Sequence, residues 1–157
     1  HERTISPRMR EVFEAQLRLA VEFRRPVVLH GAKCWGEVVA TVRSVWSTTT
    51  IFHLPPLLFH GFSRSDGLLP DIVQLNGYVS VGPAVLNDHA VNYRALVKKL
   101  PADRLLVETD ATAETAEMVP PLADIVTKVA ELRGASFDAL AASLEANVDR
   151  FISSRIL

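Results

Sequence analysis

The sequence predicts an α/β fold built on parallel strands, and three observations predict it. Short apolar runs alternate with stretches of helical periodicity along most of the chain. Two of the runs, Pro26-Val27-Val28-Leu29-His30-Gly31 and Pro56-Leu57-Leu58-Phe59-His60-Gly61, end on histidine and then glycine. A third, Arg104-Leu105-Leu106-Val107-Glu108-Thr109-Asp110, passes straight from apolar residues to two carboxylates. Strand–helix alternation implies right-handed crossovers and parallel neighbours, so all the C-terminal strand ends share one rim.

Ser6 and Pro7 read as the N-cap and first residue of a helix. Met9, Val12, Phe13, Leu17 and Ala20 then recur at helical spacing, which predicts one buried face. Pro26 ends that helix and opens the strand Val27-Val28-Leu29. Trp35, Val38, Val39, Val42, Val45 and Trp46 form the clearest amphipathic stripe in the chain. Residues 47–50 are a polar connection, and 51–54 are ambiguous between strand and loop. Pro55-Pro56 rules out a long central strand there. Leu57, Leu58 and Phe59 form the next strand.

Asp66 reads as the cap of a helix carrying Leu69, Ile72 and Val73, closed by Gly77. Residues 78–82 form a strand ending on glycine. Asn87 or Asp88 starts a helix with Tyr93, Leu96, Val97 and Leu100 inward, and Pro101 stops it. The strand at Leu105, Leu106 and Val107 follows, ending on Asp110. Pro120-Pro121 opens a helix with Leu122, Ile125, Val126 and Val129 inward, closed by Gly134. Ser136 caps a last helical region that runs to about Ile152 and is open to a break near Asn147.

The 157 residues suffice for one domain with a sizeable core, and 48% of them are hydrophobic. A net charge of −1 provides no global basic field for nucleic acid, so any such contact is local. The single Cys34 permits no internal disulfide and points to a reducing compartment, hence an intracellular, cytoplasmic or nuclear protein. No apolar run is long enough to span a membrane, and no signal-peptide pattern opens the chain. The first residue is His1 rather than Met, which reads as a piece cut from something longer or as a processed product.

A carboxylate at the end of a buried strand is costly unless a cation meets it. His30, His60 and Asp110, at the ends of three parallel strands, are a donor set suited to a divalent metal. His30 alone reads more often as a core or rim histidine than as a ligand. Glu108, two before Asp110 and so on the same strand face, reads as a structural partner for a basic group. Lys33 and Arg64 follow the two histidines, where loops meet phosphate oxygens; a solvated loop charge is the equally open reading. Cys34 has no base in view and reads as a buried or incidental thiol. His53 and His89 read as ordinary loop or helix-start residues.

Five stretches together resemble the TatD-type metal-dependent hydrolases of the amidohydrolase-like superfamily. Residues 26–30 resemble the family's P-V-x-x-H strand. His60-Gly61-Phe62-Ser63 resembles H-C-F-S-G, and residues 78–81 resemble Y-I-S. Residues 105–111 resemble L-L-x-E-T-D-A, and residues 145–151 resemble the closing E-N-x-x-R-L-F. The resemblance implies a TIM-barrel type (β/α)8 fold with one or two divalent metals at the C-terminal rim. It implies phosphodiester hydrolysis, usually of DNA.

His30 and His60 match its metal-binding histidines on strands five and six. Asp110 matches its metal-binding aspartate on strand eight, and in a hydrolase Asp110 is the expected catalytic residue, taking the proton from the attacking water. Lys33, Ser63 and Arg64 fall where substrate contacts would lie. The implied metal is Mg, Zn or Mn, and the implied partner is DNA or another phosphodiester.

The chain departs from the family in lacking the H-x-H pair of the first strand and the G-E-x-G-L-D stretch of the fourth. Residues 1–157 therefore read as one domain, a partial barrel of strands five to eight with their helices. A half barrel leaves two sheet edges open, which argues against folding alone. Ala32-Lys33 stands where the family has R-D, Arg64 where it has Gly, and Thr112 where it has Pro. The expected function is metal-dependent phosphodiester hydrolysis, as a TatD-like deoxyribonuclease, in the intact parent, with little activity in this chain alone. The competing readings are a non-catalytic barrel module for protein contacts, and a metal hydrolase of another ester or amide.

Overall fold

The computed structural model describes residues 4–31, 33–49, 54–63 and 66–153. Its elements alternate as the apolar runs require: α1 (Pro7–Glu22), β1 (Val27–His30), α2 (Trp35–Ser47), β2 (Leu57–His60), α3 (Leu69–Gln74), β3 (Gly77–Val81), α4 (Val91–Lys99), β4 (Leu105–Val107), α5 (Leu122–Arg133) and α6 (Phe137–Ser153). The sheet order is β1-β2-β3-β4. The pairs β1–β2 and β3–β4 are parallel, with Leu29 opposite Phe59 and Val81 opposite Val107. Among the described residues no helix is long and apolar enough to cross a membrane.

The chain divides into two compact units: one from residues 1–60, 67–78 and 150–157, the other from 61–66 and 79–149. In the first, the α2 stripe is buried as its spacing requires, from Trp35 to Trp46. The Trp35 ring packs against Phe59 of β2 at 5.6 Å between centroids. Gly31 lets that ring approach, because a Cβ there would lie 2.1 Å from Trp35 Cδ2. Ser6 caps α1 as expected, its Oγ accepting the Met9 N–H at 3.2 Å.

The buried stripe of α1 differs from the expected one. Met9 and Val12 are exposed, while Leu17 and Val21 are buried. Arg10, Phe13, Leu17 and Val21 form the face toward α2: Arg10 pairs with Glu37 and donates to Thr41 Oγ1 at 2.9 Å. An arginine stem covers apolar surface while its head reaches a partner, so a hydrophobicity count rotates the stripe by one position. α1 also ends before Pro26, at Phe23, and Arg24 turns the chain with φ of 50°.

Two further boundaries move. Asp66 sits in a 3-10 turn ahead of α3, and its carboxyl is held below the usual range by Lys99, so it does not cap α3. Asn76, with φ of 60°, ends α3; Gly77 is the first residue of β3, where a Cβ would lie 2.5 Å from the Ile72 carbonyl oxygen. The ambiguous residues 51–53, His53 included, lie outside the described residues.

In the second unit, Val79, Val81, Val85, Val97, Leu105, Ile125 and Val129 form the core. A 3-10 turn over Pro83–Leu86 precedes α4, and the Arg94 side chain holds it by donating to the Val85 carbonyl at 2.9 Å. Asn87 accepts the His89 N–H ahead of the helix, and α4 starts only at Val91. Gly134 closes α5 with φ of 64°, as expected of a left-handed cap. Arg133 completes that end by donating to the Val97 and Leu100 carbonyls, and its partial burial lowers its pKa.

α6 runs unbroken through Asn147, where the sequence left a break open. The Asn147 side chain is fully buried and donates to the carbonyls of Ala102 and Leu105, both at 2.7 Å. A polar residue within the helix thus ties α6 to the start of β4.

Candidate functional site

His30 and His60 close β1 and β2 at paired positions of the parallel ladder. Adjacent strands lie about 4.7–4.9 Å apart, so paired residues on one face become neighbours. The imidazole centroids are 4.4 Å apart and tilted by 55°. Alternation sets the face. Leu29, Leu57 and Phe59 are buried, with Phe59 against Trp35, so Val28, Leu58 and the two histidines lie on the opposite side of the strands. His30 is exposed and His60 half-buried, so both rings keep a route to solvent. Beside His30 an apolar cavity of ≈ 270 Å³ is lined by Ile5, Met9, Phe13, Val28, Leu29, Cys34 and Val38. Cys34 is a free, buried thiol.

The second unit positions Asp110. β4 ends at Val107, three residues before the expected boundary, although the ladder continues one step: Glu108 N–H donates to the Val81 carbonyl at 3.0 Å. Asp110 then takes a left-handed conformation with φ of 55° and is exposed. The strand alternation that placed Glu108 and Asp110 on one face therefore does not reach Asp110. Glu108 packs instead along the ends of its neighbours. A Cβ at Gly82 would lie 3.4 Å from Glu108 Oε1, and one at Gly61 would lie 3.8 Å from it.

Around this carboxylate the backbone is held by side chains. Gly82 N–H donates to the Tyr93 hydroxyl at 3.0 Å, and Gly61 N–H donates to Ser80 Oγ at 3.2 Å. Burial raises the Tyr93 pKa, opposed by the Gly82 hydrogen bond and reinforced by the Glu108 charge. From its spacing Tyr93 reads only as an inward helix residue. Its hydroxyl partner is a glycine amide eleven positions earlier, and no residue pattern announces it.

Lys33 is exposed in the loop after β1, with φ of 73°, and Ser63 is exposed after β2. Arg64 lies outside the described residues.

The donor chemistry fits a divalent ion in part. Two imidazoles stand together on adjacent strands, a pairing that suits Zn and related ions. Among the described residues no group of three or more His, Cys, Asp or Glu stands close enough to hold an ion. The structure thus brings His30 and His60 together, and Asp110 belongs to the second unit.

A family model described as "TatD related DNase" matches residues 2–153. The chain belongs to that family. It is 27% identical over 148 residues to an uncharacterized metal-dependent hydrolase, YabD, of Bacillus subtilis, covering 90% of this chain and 56% of that protein. It is 28% identical over 148 residues to the 3'-5' ssDNA/RNA exonuclease TatD of Citrobacter koseri, covering 87% and 55%. The crystal structure of YJJV, a TatD homolog from Escherichia coli K12, superposes with a TM-score of 0.79 at 27% identity, covering 93% of this chain and 57% of that one. An uncharacterized amidohydrolase from Saccharomyces cerevisiae shares the fold at 16% identity and a TM-score of 0.71. The chain spans about half the length of these relatives.

Proposed function

We propose that this protein serves a divalent-metal-dependent hydrolase of phosphodiesters, acting on DNA as a TatD-like nuclease. The observation that carries the reading is the His30–His60 pair at matched strand ends. The family model and the names of the relatives support it. The four strands would be the fifth to eighth of a (β/α)8 barrel, whose C-terminal rim is where such folds place their sites.

His30, His60 and Asp110 would hold the ion, whether Mg, Zn or Mn. A bound ion of this kind offsets phosphate charge and lowers the pKa of water. Asp110, an exposed residue, would take a proton at its carboxylate. Lys33, Ser63 and Arg64 would meet phosphate oxygens. The lone buried Cys34 supports an intracellular setting.

The test is isothermal titration of the chain with Mn²⁺ and Zn²⁺, with turnover of 3'-labelled single-stranded DNA by this chain and by a longer protein that carries it. We expect metal binding by both and rapid turnover only in the longer protein. Absence of metal binding in both would overturn the reading and leave a non-catalytic barrel module. Metal binding with turnover of esters or amides alone would move the substrate class.

A further inference from the structure

We propose that Tyr93 is a positioning residue for the carboxylate-bearing end of β4: it holds the Gly82 peptide against which Glu108 packs, and so places Asp110. Each step up to Glu108 is a contact within one unit. Tyr93 is buried, and its hydroxyl accepts the Gly82 N–H at 3.0 Å. Gly82 is itself buried and follows β3 directly. No side chain stands on Gly82, so the Glu108 Cγ, Cδ and Oε1 lie 3.4–3.9 Å from where a Cβ would be. Glu108 N–H is tied to the Val81 carbonyl at 3.0 Å, one residue before that glycine. Backbone and side chain of Glu108 are thus both fixed on the 81–82 segment.

Two residues later Asp110 takes a φ of 55°, a conformation that a short polar residue tolerates but does not prefer. An exposed residue in that state is only as well placed as the segment leading into it. Phenylalanine at position 93 would fill the same space but leave the Gly82 N–H buried without an acceptor, and the segment would shift to satisfy it. Asp110 is a ligand only if the metal-site reading holds, and the last step of the inference rests on that reading.

The experiment compares Tyr93→Phe with Ile125→Val, a core truncation in α5 that lowers stability but keeps the Tyr93 hydroxyl and Gly82. Amide hydrogen exchange is read at Gly82, Glu108, Thr109 and Asp110, and Mn²⁺ affinity is read by titration. We expect exchange at these four amides to rise about tenfold in Tyr93→Phe and not in Ile125→Val. We expect Mn²⁺ affinity to fall about tenfold in Tyr93→Phe alone, as for loss of an outer partner of a metal ligand.

Gly82→Ala retains Tyr93 and pushes on Glu108 from the other side. It should reproduce both effects even if Tyr93→Phe folds poorly. Equal exchange in Tyr93→Phe and Ile125→Val would overturn the proposal. So would faster exchange with unchanged Mn²⁺ affinity. If the unaltered chain binds no Mn²⁺, the metal reading fails by itself, and the exchange data still decide whether Tyr93 holds the segment.

Discussion

The imidazoles of His30 and His60 lie 4.4 Å apart because the two residues are partners in a parallel ladder. Neither ring depends on a loop for its position. Replacing either histidine by alanine should therefore abolish measurable Mn²⁺ or Zn²⁺ binding. His30→Ala, at an exposed position, should change stability by less than about 0.5 kcal/mol. Calorimetric titration and thermal melts read the two quantities separately. Undiminished metal affinity in both variants would remove the pair from the site.

Asp110 invites a test that separates charge from conformation. Its φ of 55° is one that asparagine accepts as readily as aspartate. Asp110→Asn should cost far more rate than stability, read by turnover and by thermal melts. In a longer protein carrying this chain, DNA turnover should fall about a hundredfold or more, the scale of losing a general base. His89→Ala, an exposed residue ahead of α4, is the control and should keep full rate. Full turnover in Asp110→Asn would exclude Asp110 from the chemistry.

Much of this arrangement was legible from residue order. Strands that end on His30 and His60 follow from apolar runs cut off by His-Gly, and the Trp35–Trp46 stripe predicts α2 because a regular 3.6 period has few alternatives. The two glycines after those histidines look alike in sequence but act differently. Gly61 adopts φ of 61°, whereas Gly31 makes room for a tryptophan ring. The shared strand face of Glu108 and Asp110 does not form, because the alternation rule assumes extended backbone and β4 stops at Val107. The α1 stripe departs from a hydrophobicity count because Arg10 packs toward Glu37 and Thr41. The Tyr93–Gly82 hydrogen bond had no signal, since a glycine amide acquires its partner only through the fold.

Asn147 shows what the closing Glu-Ala-Asn-Val-Asp-Arg-Phe stretch contributes structurally. One amide group, itself fully buried, serves the carbonyls of exposed Ala102 and buried Leu105. Asn147→Ala removes both donors and leaves a void, and we expect a loss of about 2–4 kcal/mol. Asn147→Leu restores volume but not hydrogen bonds, and should recover less than half of that loss. Urea unfolding with an unchanged m-value measures each. A loss below about 0.5 kcal/mol in Asn147→Ala would mean that water or neighbouring donors replace the amide.

Gly31→Ala should be among the most damaging conservative changes in the chain. The glycine's φ is not positive, so backbone strain is not the cause. The cause is the Trp35 ring, whose nearest atom would lie 2.1 Å from the new methyl group. That ring is 4% exposed and packed against Phe59, so it has little room to retreat. Overpacking of this kind costs about 1–3 kcal/mol, and the tethered ring places Gly31→Ala at the upper end. The mechanism predicts a specific coupling. In a Trp35→Leu background the methyl group meets no ring, so adding Gly31→Ala should cost far less than it does alone. Denaturant unfolding of the two single variants and the double variant gives the interaction energy. Additive losses would show that the methyl group clashes with something other than Trp35.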